Sequence, residues 1–461
     1  MHKHLRLFIL VTVLALFLCR TAGAQHFPSD EELQSLIDTR VEEGRAVGIV
    51  VGVIEADQTM RTVWSGNAGA DAPPLGVHSV FEIGSITKVF TGTLLANMVA
   101  RGEVSLADPV SQYLPDNVTV PSRGGKEITL LDLATHHSAL PRLPTNLSPA
   151  DVTNPYADYT VEQMYAFLST YELPRDIGSA YEYSNFAVGL LGHVLAGVAG
   201  GSYEDVIHER ILEPLHMRMT GITLEGEMLA QMANGHNEQG EAVPLWDIPT
   251  LAGAGALRSN IGDMLTFLAA NIRAPESQLE HSMHESHAVR KTINEEMGVG
   301  LNWHVRSVGE EKIVWHNGGT AGFRTFIGFD PAKGVGVVVL TNSAHGADDI
   351  GFHLINQNLP LAAAAEPVPD RTEVEVSDEI LKTYVGEYQL APSFSIVVTL
   401  EDGALFVQAT GQPKIPVFAE SETKFFLKVV DAQITFNKDD TGVVVGLILH
   451  QGGANQPGRK L

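Results

Sequence analysis

Cysteine is nearly absent from this chain, because Cys19 is the only one in 461 residues. A single cysteine cannot form a disulfide within the chain, so the fold must be stabilised by its packed core. The hydrophobic content of 44% is ordinary for a water-soluble globular protein. The length fits a large domain with a smaller module attached.

Positive charge is also scarce. Lysine and arginine total 30 against 55 aspartates and glutamates, which gives a formal net charge of -25. Nucleic acids and anionic lipid surfaces repel such a chain, so we expect neither as a partner. A local site that attracts anions is still compatible with this composition.

Apolar runs of membrane-spanning length are missing. The run Leu7–Leu18 is about 12 residues long, too short to cross a bilayer comfortably. Lys3 and Arg6 precede it and the small residues 22–24 follow it, an order typical of a secretory signal peptide over residues 1–24. We therefore expect a secreted or periplasmic protein with no stable membrane span, and a retained anchor is the alternative. Removal of this segment would also remove the only cysteine.

Residues 25–360 alternate between strand-like and helix-like segments, which predicts a layered α/β (α+β) domain. The apolar, β-branched runs Val47–Ile54 and Val335–Leu340 are the expected strands. Ile128–Ala134 and Val188–Val198 are expected helices.

The last hundred or so residues follow a different pattern. Residues 361–376 are rich in alanine, glutamate and proline, which is typical of a linker. Residues 377–461 contain short strands separated by turn residues, such as Ser395–Leu400 and Leu405–Gln408. This spacing predicts a small C-terminal all-β barrel or sandwich.

The first candidate motif is Ser85-Ile86-Thr87-Lys88, at the start of an apolar run. On a helix, side chains three residues apart lie side by side on one face. A lysine held in an apolar helix can lose its charge and accept the proton of a serine, which makes that serine an effective nucleophile. The spacing alone also fits an ordinary helix start, with Ser85 as N-cap and Lys88 in solvent.

The second candidate motif is Tyr183-Ser184-Asn185, just before an apolar helical run. A tyrosine beside a serine–lysine pair can carry a proton between nucleophile, substrate and water. An asparagine two residues further on can donate to a substrate carbonyl. On its own the motif equally fits a core tyrosine and a helix-capping asparagine.

The third candidate motif is Trp315-His316-Asn317-Gly318-Gly319 at the end of an expected strand. Two glycines let a substrate lie against the backbone without interference from Cβ atoms. His316 would then serve the site as a hydrogen-bond donor or a switchable charge. A glycine-rich hairpin with a surface histidine is the alternative.

Together and in this order, the three motifs resemble those of the serine β-lactamase-like superfamily, meaning class C β-lactamases, penicillin-binding D,D-peptidases and related esterases. Flanking stretches such as Phe81-Glu82-Ile83-Gly84 are similar to the family too. The resemblance covers residues 29–359. It implies a β-lactamase-like, transpeptidase-like domain with an antiparallel sheet flanked by helices.

The resemblance also implies roles for the motif residues. Ser85 would be the acylated nucleophile, and Lys88 and Tyr183 would share the general-base and proton-return steps. The implied substrate-binding residues are Asn185, His316, Gly318 and Gly319, with an oxyanion hole formed by the N–H groups of Ser85 and Gly319. No metal or other cofactor is implied.

His316 departs from the lactamase pattern, which usually has lysine there to bind the substrate carboxylate. A neutral histidine is a weaker partner for an anion, so the motif gives no special support to strong β-lactamase activity. We expect a secreted serine hydrolase that forms an acyl-enzyme on an amide or ester, of the β-lactamase or D-alanyl-D-alanine carboxypeptidase type. Its substrate would be a small molecule or peptide. A carboxylesterase of the same fold and a non-catalytic penicillin-binding or structural protein are the alternatives, and oligomerisation stays open.

Two further features are the C-terminal strand segments and a set of regularly spaced histidines. The segments Tyr384–Tyr388 and Leu447–Gln451 resemble the small lipocalin-like barrel that is appended to some of these hydrolases. His281, His284 and His287 recur at every third position. A polar surface helix explains this spacing better than a metal site, which needs a fixed set of ligands.

Overall fold

The computed structural model describes residues 25–363, 371–391, 394–401, 403–410, 414–428, 432–451 and 454–461. The predicted signal peptide and part of the predicted linker lie outside these residues. Both therefore stay predictions.

The helices of the described residues are α1 Asp30–Glu42, α2 Thr87–Ala100, α3 Leu130–Ala134, α4 Val161–Thr170, α5 Asn185–Ala199, α6 Tyr203–Ile207, α7 Gly226–Ala230, α8 Ile261–Ile272, α9 Gln278–Ser286, α10 Asp348–Ile355 and α11 Asp378–Tyr384.

The strands are β1 Gly48–Ile54, β2 Met60–Gly66, β3 Phe81–Glu82, β4 Ser122–Arg123, β5 Lys126–Glu127, β6 Gly235–His236, β7 Ala242–Val243, β8 Arg258–Ser259, β9 Lys291–Thr292, β10 Met297–Val299, β11 His304–Val308, β12 Glu311–Gly319, β13 Arg324–Asp330, β14 Val335–Thr341, β15 Gly386–Ala391, β16 Phe394–Glu401, β17 Ala404–Ala409, β18 Ile415–Ala419, β19 Lys424–Phe426, β20 Ala432–Lys438, β21 Val444–Gln451 and β22 Ala454–Lys460.

One eight-stranded sheet forms the centre of the larger domain, in the order β2-β1-β14-β13-β12-β11-β10-β9. Every neighbouring pair in it is antiparallel. The expected antiparallel sheet flanked by helices is therefore confirmed. The two predicted strands correspond to β1 and β14, and the two predicted helices correspond to α3 and α5.

Both faces of this sheet are covered, which explains why β1 and β14 are apolar and buried at every position. Val50 and Val338 pack into the larger core with α2, α5 and α8. Val51 and Val339 point the other way, into a second core with α1 and α10. Successive side chains of a strand alternate between faces, so one continuous apolar run can serve both cores.

Helix α2 crosses the larger core and is buried over nearly its whole length. It begins at Thr87 and not at Ser85, because Gly84–Ile86 form a short 3-10 turn before it. Gly84 has φ +50°, a left-handed conformation that suits glycine and ends any helix running through it. In a 3-10 turn residues i and i+3 eclipse, so the turn still aligns Ser85 with Lys88.

The C-terminal strands β15–β22 form a closed eight-stranded barrel in chain order, which confirms the predicted all-β module. Its buried core combines mainly aliphatic side chains with the rings of Tyr384, Tyr388, Phe425 and Phe436. Tyr384, contributed by α11, stacks on Phe436 with ring centroids 4.2 Å apart. The Tyr388 hydroxyl donates to the Tyr384 carbonyl at 2.7 Å.

Among the described residues, no single helix has both the length and the apolar composition of a membrane span. The segments Asn185–Ala199 and Tyr203–Leu212 meet those criteria only when taken together, and they are bent by 77° at the break between them.

Close packing of α2 predicts how two glycine substitutions will differ. A Cβ on Gly92 would lie 2.0 Å from the Leu301 carbonyl oxygen, whereas one on Gly197 of α5 would meet nothing within 4 Å. Gly92→Ala should therefore lower the free energy of unfolding by about 1–3 kcal/mol. Gly197→Ala should raise it by up to ~1 kcal/mol, because alanine favours a helix over glycine.

Urea unfolding followed by tryptophan fluorescence measures both changes, since all four tryptophans belong to the larger domain. Equal effects of the two substitutions would contradict the packing of α2 against Leu301.

Candidate active site

Ser85 lies in the 3-10 turn that joins β3 to α2. This turn touches the end of β12, where a Cβ on Gly84 would come within 2.7 Å of the Gly319 nitrogen. A Cβ on Gly318 would lie 2.0 Å from the Ile83 carbonyl oxygen. Glycine at both positions therefore allows the backbone of β12 to approach the turn that carries the serine.

The Lys88 amine is the nearest partner of this serine. Its Nζ lies 2.9 Å from Ser85 Oγ and donates to the Ala254 carbonyl at 2.6 Å. The side chain is fully buried, and none of the described residues pairs a carboxylate with it. Burial, reinforced by the positive charge of Arg142, holds the pKa of Lys88 well below its usual value of 10.5. A neutral amine at this distance is a base for the Ser85 hydroxyl.

Tyr183 stands beside this pair, at the end of the loop that precedes α5. The Lys88 Nζ lies 5.0 Å and the Arg142 Cζ 5.2 Å from the centre of its ring. Burial raises the pKa of the Tyr183 phenol to about 12, although the neighbouring Ser85 hydroxyl and Arg142 act in the opposite direction. At neutral pH the phenol keeps its proton, so it is suited to donate one.

Asn185 is the first residue of α5, and Ser184 is its N-cap. The Ser184 hydroxyl accepts from the Ala187 N–H at 2.9 Å and donates to the Pro141 carbonyl at 2.6 Å. The side-chain oxygen of Asn185 is buried without a hydrogen-bond partner in the described part of the chain. Asn185 and Tyr183 line two adjoining pockets that meet at Ser85.

The larger of these pockets is a cleft of about 730 Å³ that opens over Ser85. Its lining combines the three motifs with residues from other parts of the chain. These lining residues are Ser85, Arg142, Tyr181, Tyr183, Trp246, Ile293, Asn294, Met297, His304, Trp315, Asn317, Gly318, Gly319, Thr320 and Arg324. The smaller pocket lies on the other side of Ser85, beside Asn185 and Tyr156.

Trp246 borders both pockets and is held by a buried ion pair. Its backbone N–H donates to Glu82 Oε1 at 2.8 Å, and its carbonyl accepts from Arg258 Nη2 at 2.8 Å. Arg258 Nη2 also lies 3.5 Å from Glu82 Oε1. Because Glu82 belongs to β3, the strand just before the serine turn, this network fixes the cleft wall relative to Ser85.

His316 is absent from the lining of the cleft but lies next to it, with its ring centroid 6.2 Å from that of Tyr183 and 5.2 Å from that of His304. Its ring is fully buried, and its Nδ1 donates to the Asn317 carbonyl at 2.6 Å. Burial, together with nearby His304 and Lys88, holds the pKa of His316 well below its usual value, so the ring is neutral. Gly318 and Gly319 do line the cleft. Direct substrate contact by His316 stays a prediction.

Several residues of the site carried no recognisable sequence signal. His304 Nε2 is 2.8 Å from the Tyr181 hydroxyl, and burial lowers the pKa of His304 to about 4. His136 stacks on Tyr183 with ring centroids 4.6 Å apart. Arg142 comes from the irregular segment between α3 and α4, and long irregular segments inside a compact domain are usually functional.

Arg324, the first residue of β13, adds a second guanidinium to the cleft besides Arg142. Its Nη1 donates to the carbonyls of Thr320 and Phe323 at 2.6 and 2.9 Å. Glu238 and Asp348 are the acidic groups that act on it, but neither forms a direct ion pair with it in the described residues. The cleft is thus locally cationic in a strongly acidic chain.

Of the three regularly spaced histidines, His281 and His284 lie in α9, and His287 is its C-cap. His281 is exposed, whereas His284 and His287 are partly buried with ring centroids 5.2 Å apart. The surface-helix interpretation therefore holds for the first of them only. No group of three or more potential metal ligands comes together within the described residues.

Comparison with known proteins agrees with this geometry. The Beta-lactamase family model matches residues 33–358, and a model described as a domain of unknown function (DUF3471) matches residues 370–459. A class C β-lactamase from Rhodobacter sphaeroides has a similar structure, with a TM-score of 0.58 and 27% identity over 67% of this chain and 93% of that one.

Two curated relatives extend the comparison. The D-alanyl-D-alanine-carboxypeptidase/endopeptidase AmpH of Escherichia coli strain K12 is 30% identical over 345 residues, which cover 69% of this chain and 88% of that protein. Penicillin-binding protein 4* of Bacillus subtilis strain 168 is 24% identical over 463 residues, which cover 92% of this chain and 97% of that protein. With its Ser85–Lys88 pair and this family match over most of its length, the chain belongs to the β-lactamase family and is an enzyme of the serine hydrolase type.

Proposed function

We propose that this chain is an exported carboxypeptidase-type enzyme that forms an acyl-enzyme through Ser85 on D-alanyl peptides, and that β-lactams acylate the same serine. The main support for the proposal is the 2.9 Å distance between Lys88 Nζ and Ser85 Oγ, together with the complete burial of the Lys88 side chain. The names of the two curated relatives support the substrate class. Export rests on the predicted signal peptide over residues 1–24.

In the acylation step, neutral Lys88 takes the Ser85 proton as Oγ attacks the substrate carbonyl. The developing oxyanion would be bound by the N–H groups of Ser85 and Gly319, whose backbones the glycine contacts bring together. The Tyr183 phenol then gives its proton to the leaving amine and regains one from Lys88, which is ready for the next step. Asn185, with its unpartnered oxygen, would hold the substrate amide.

In the deacylation step, water attacks the Ser85 ester and gives its proton to Lys88. Collapse of the intermediate breaks the bond between Oγ and the acyl carbon, and the proton returns to Oγ. The rate of this step separates a β-lactamase from a peptidase, and each tenfold difference in rate corresponds to only ~1.4 kcal/mol of barrier. The motif residues are compatible with either outcome.

The carboxylate of a D-alanyl peptide needs a cationic partner, and the neutral, buried His316 does not supply one. Arg324 lines the cleft with Ser85, and none of the described carboxylates forms an ion pair with it. A guanidinium suits bidentate recognition of a carboxylate. We assign the substrate carboxylate to Arg324, with Arg142 adding positive charge on the same cleft.

A carboxylesterase is the second candidate, and the absence of a cation at His316 favours it. An ester substrate needs the same nucleophile, base and oxyanion hole but no partner for a carboxylate. A non-catalytic penicillin-binding protein would have no need for the close, buried arrangement of Ser85, Lys88 and Tyr183. That arrangement argues against this third possibility.

Three segments follow from the proposed organisation. Residues 25–360 form the hydrolase domain, residues 361–376 the linker, and residues 377–461 a lipocalin-like barrel. We assign the barrel an accessory role, because none of its described residues lines the cleft.

Acylation of Ser85 can be tested with a labelled penicillin and a chromogenic ester. Ser85→Ala should abolish covalent labelling and ester turnover, because it removes the attacking oxygen. Ser35→Ala, on the exposed face of α1, is the matched control and should behave as wild type. Slow release of the label from wild type is expected for a peptidase, and labelling that survives in Ser85→Ala would refute the assignment.

Arg324→Gln tests the carboxylate assignment. It should raise the KM for a D-alanyl-D-alanine peptide by roughly tenfold to a hundredfold, the effect of losing a charged hydrogen bond worth ~1.5–3 kcal/mol. The same peptide with an amidated C-terminus should be insensitive to the substitution. Arg306→Gln, which alters an arginine over the Phe352 ring outside the cleft, is the control. Equal loss on both peptides would point to a structural role for Arg324.

A further inference from the structure

His136 has an unusual relation to the segment that carries Tyr183. The residue before the tyrosine, Glu182, donates its backbone N–H to the His136 carbonyl at 2.9 Å. The residue after it, Ser184, donates its backbone N–H to His136 Nδ1 at 3.1 Å. Both neighbours of Tyr183 are therefore tied to the same histidine.

The ring of His136 also contacts the tyrosine directly. The two rings stack at 29° with centroids 4.6 Å apart. His136 is 1% exposed and is absent from the lining of both pockets beside Ser85. It therefore contacts Tyr183 but cannot contact a substrate in the cleft.

The hydrogen bond from Ser184 fixes the tautomer of His136. An N–H donor requires a bare Nδ1, so the ring proton must be on Nε2. A second proton on Nδ1 would face the Ser184 N–H and break the contact. Burial, and after it the neighbouring basic groups His304, Lys88, His316 and His137, hold the pKa of His136 well below its usual value and disfavour such a cation. Tyr181 and Tyr183 are the other titratable groups against the ring.

Maintaining this contact has a conformational cost. His136 has φ +60°, a left-handed backbone conformation that few residues other than glycine adopt, although histidine adopts it more often than most. In this conformation the His136 carbonyl reaches Glu182 and the His136 ring reaches Ser184, at the two ends of residues 182–184. Strained residues that bracket a reactive group often serve to pre-organise it.

We propose that neutral His136 is a positioning residue, which holds the Tyr183 phenol against Ser85 and Lys88 by accepting the Ser184 N–H and stacking on the ring. This inference rests on the proposed acyl-enzyme function. We call these two contacts of His136, the hydrogen bond from Ser184 and the stacking on Tyr183, the clamp. Without the clamp the Tyr183 phenol would lie less often close enough to Ser85 and Lys88 to return a proton. Misplacement of a catalytic group by about 1 Å can cost on the order of 100-fold in rate.

The test compares two substitutions of His136 in the full chain, with single-turnover acylation by labelled penicillin. His136→Phe keeps a ring for stacking but removes the acceptor, and it should lower the acylation rate constant by roughly tenfold to a hundredfold. The dissociation constant of the non-covalent complex should stay unchanged. His136→Asn keeps an acceptor oxygen near the Nδ1 position and tolerates the left-handed backbone, so it should lose less than about tenfold.

His137→Phe is the matched control, because within the described residues the hydrogen bond of the His137 ring is to the nearby Thr135 carbonyl and not to the Tyr183 segment. It should acylate like wild type. Equal acylation by His136→Phe and wild type, or equal losses in the Phe and Asn variants, would overturn the inference. Failure of wild type to be labelled at all would refute the proposed function and not the clamp.

The tautomer gives a test that does not depend on activity or on a folded Phe variant. Nitrogen NMR of wild type labelled at histidine should show a bare Nδ1 and a protonated Nε2 for His136 at neutral pH. The resonance is assigned by its loss in His136→Asn. A protonated Nδ1 would exclude the hydrogen bond from Ser184 and overturn the inference.

Discussion

Burial of the Lys88 amine, to which none of the described residues pairs a carboxylate, is the constraint on which the rest of the site depends. An ammonium ion in an apolar core is strongly disfavoured, so burial holds the pKa of the Lys88 amine well below its usual value, which suits the base proposed for Ser85. The helix α2 supplies this environment because it is enclosed by the sheet and by neighbouring helices on all sides. Stability and catalysis are therefore linked, since loosening of this core would return the amine to its charged form.

The cleft is built by close approaches of backbone, for which glycine is required. Gly84 and Gly318 let the serine turn touch the end of β12, which brings the N–H groups of Ser85 and Gly319 to one edge of the cleft. The ion pair of Glu82 and Arg258 then fixes the wall at Trp246. The charge of the cleft differs from that of the whole chain. Although the chain is strongly acidic, the guanidinium groups of Arg142 and Arg324 line this cleft.

The sequence predicted the sheet, the barrel and the three motifs because these depend on local patterns. Continuous β-branched runs identified β1 and β14, and short motifs in family order identified Ser85 and its partners. His136 was missed because its role depends on a left-handed backbone and on contacts with residues 182–184, which are distant in sequence. Arg324 was missed because only strand pairing brings it to Gly319. His316 follows the alternation along β12, because it shares the face of Val314, which packs into the larger core with α2, and its ring centroid lies 6.2 Å from that of Tyr183.

The protonation state of Lys88 is the central claim, and it can be measured directly. Carbon and nitrogen NMR of the full chain labelled at lysine should show one amine that is neutral at pH 7, and Lys88→Met should remove that resonance. A Lys88 amine that stays charged at pH 7 and titrates near 10.5 would contradict the account.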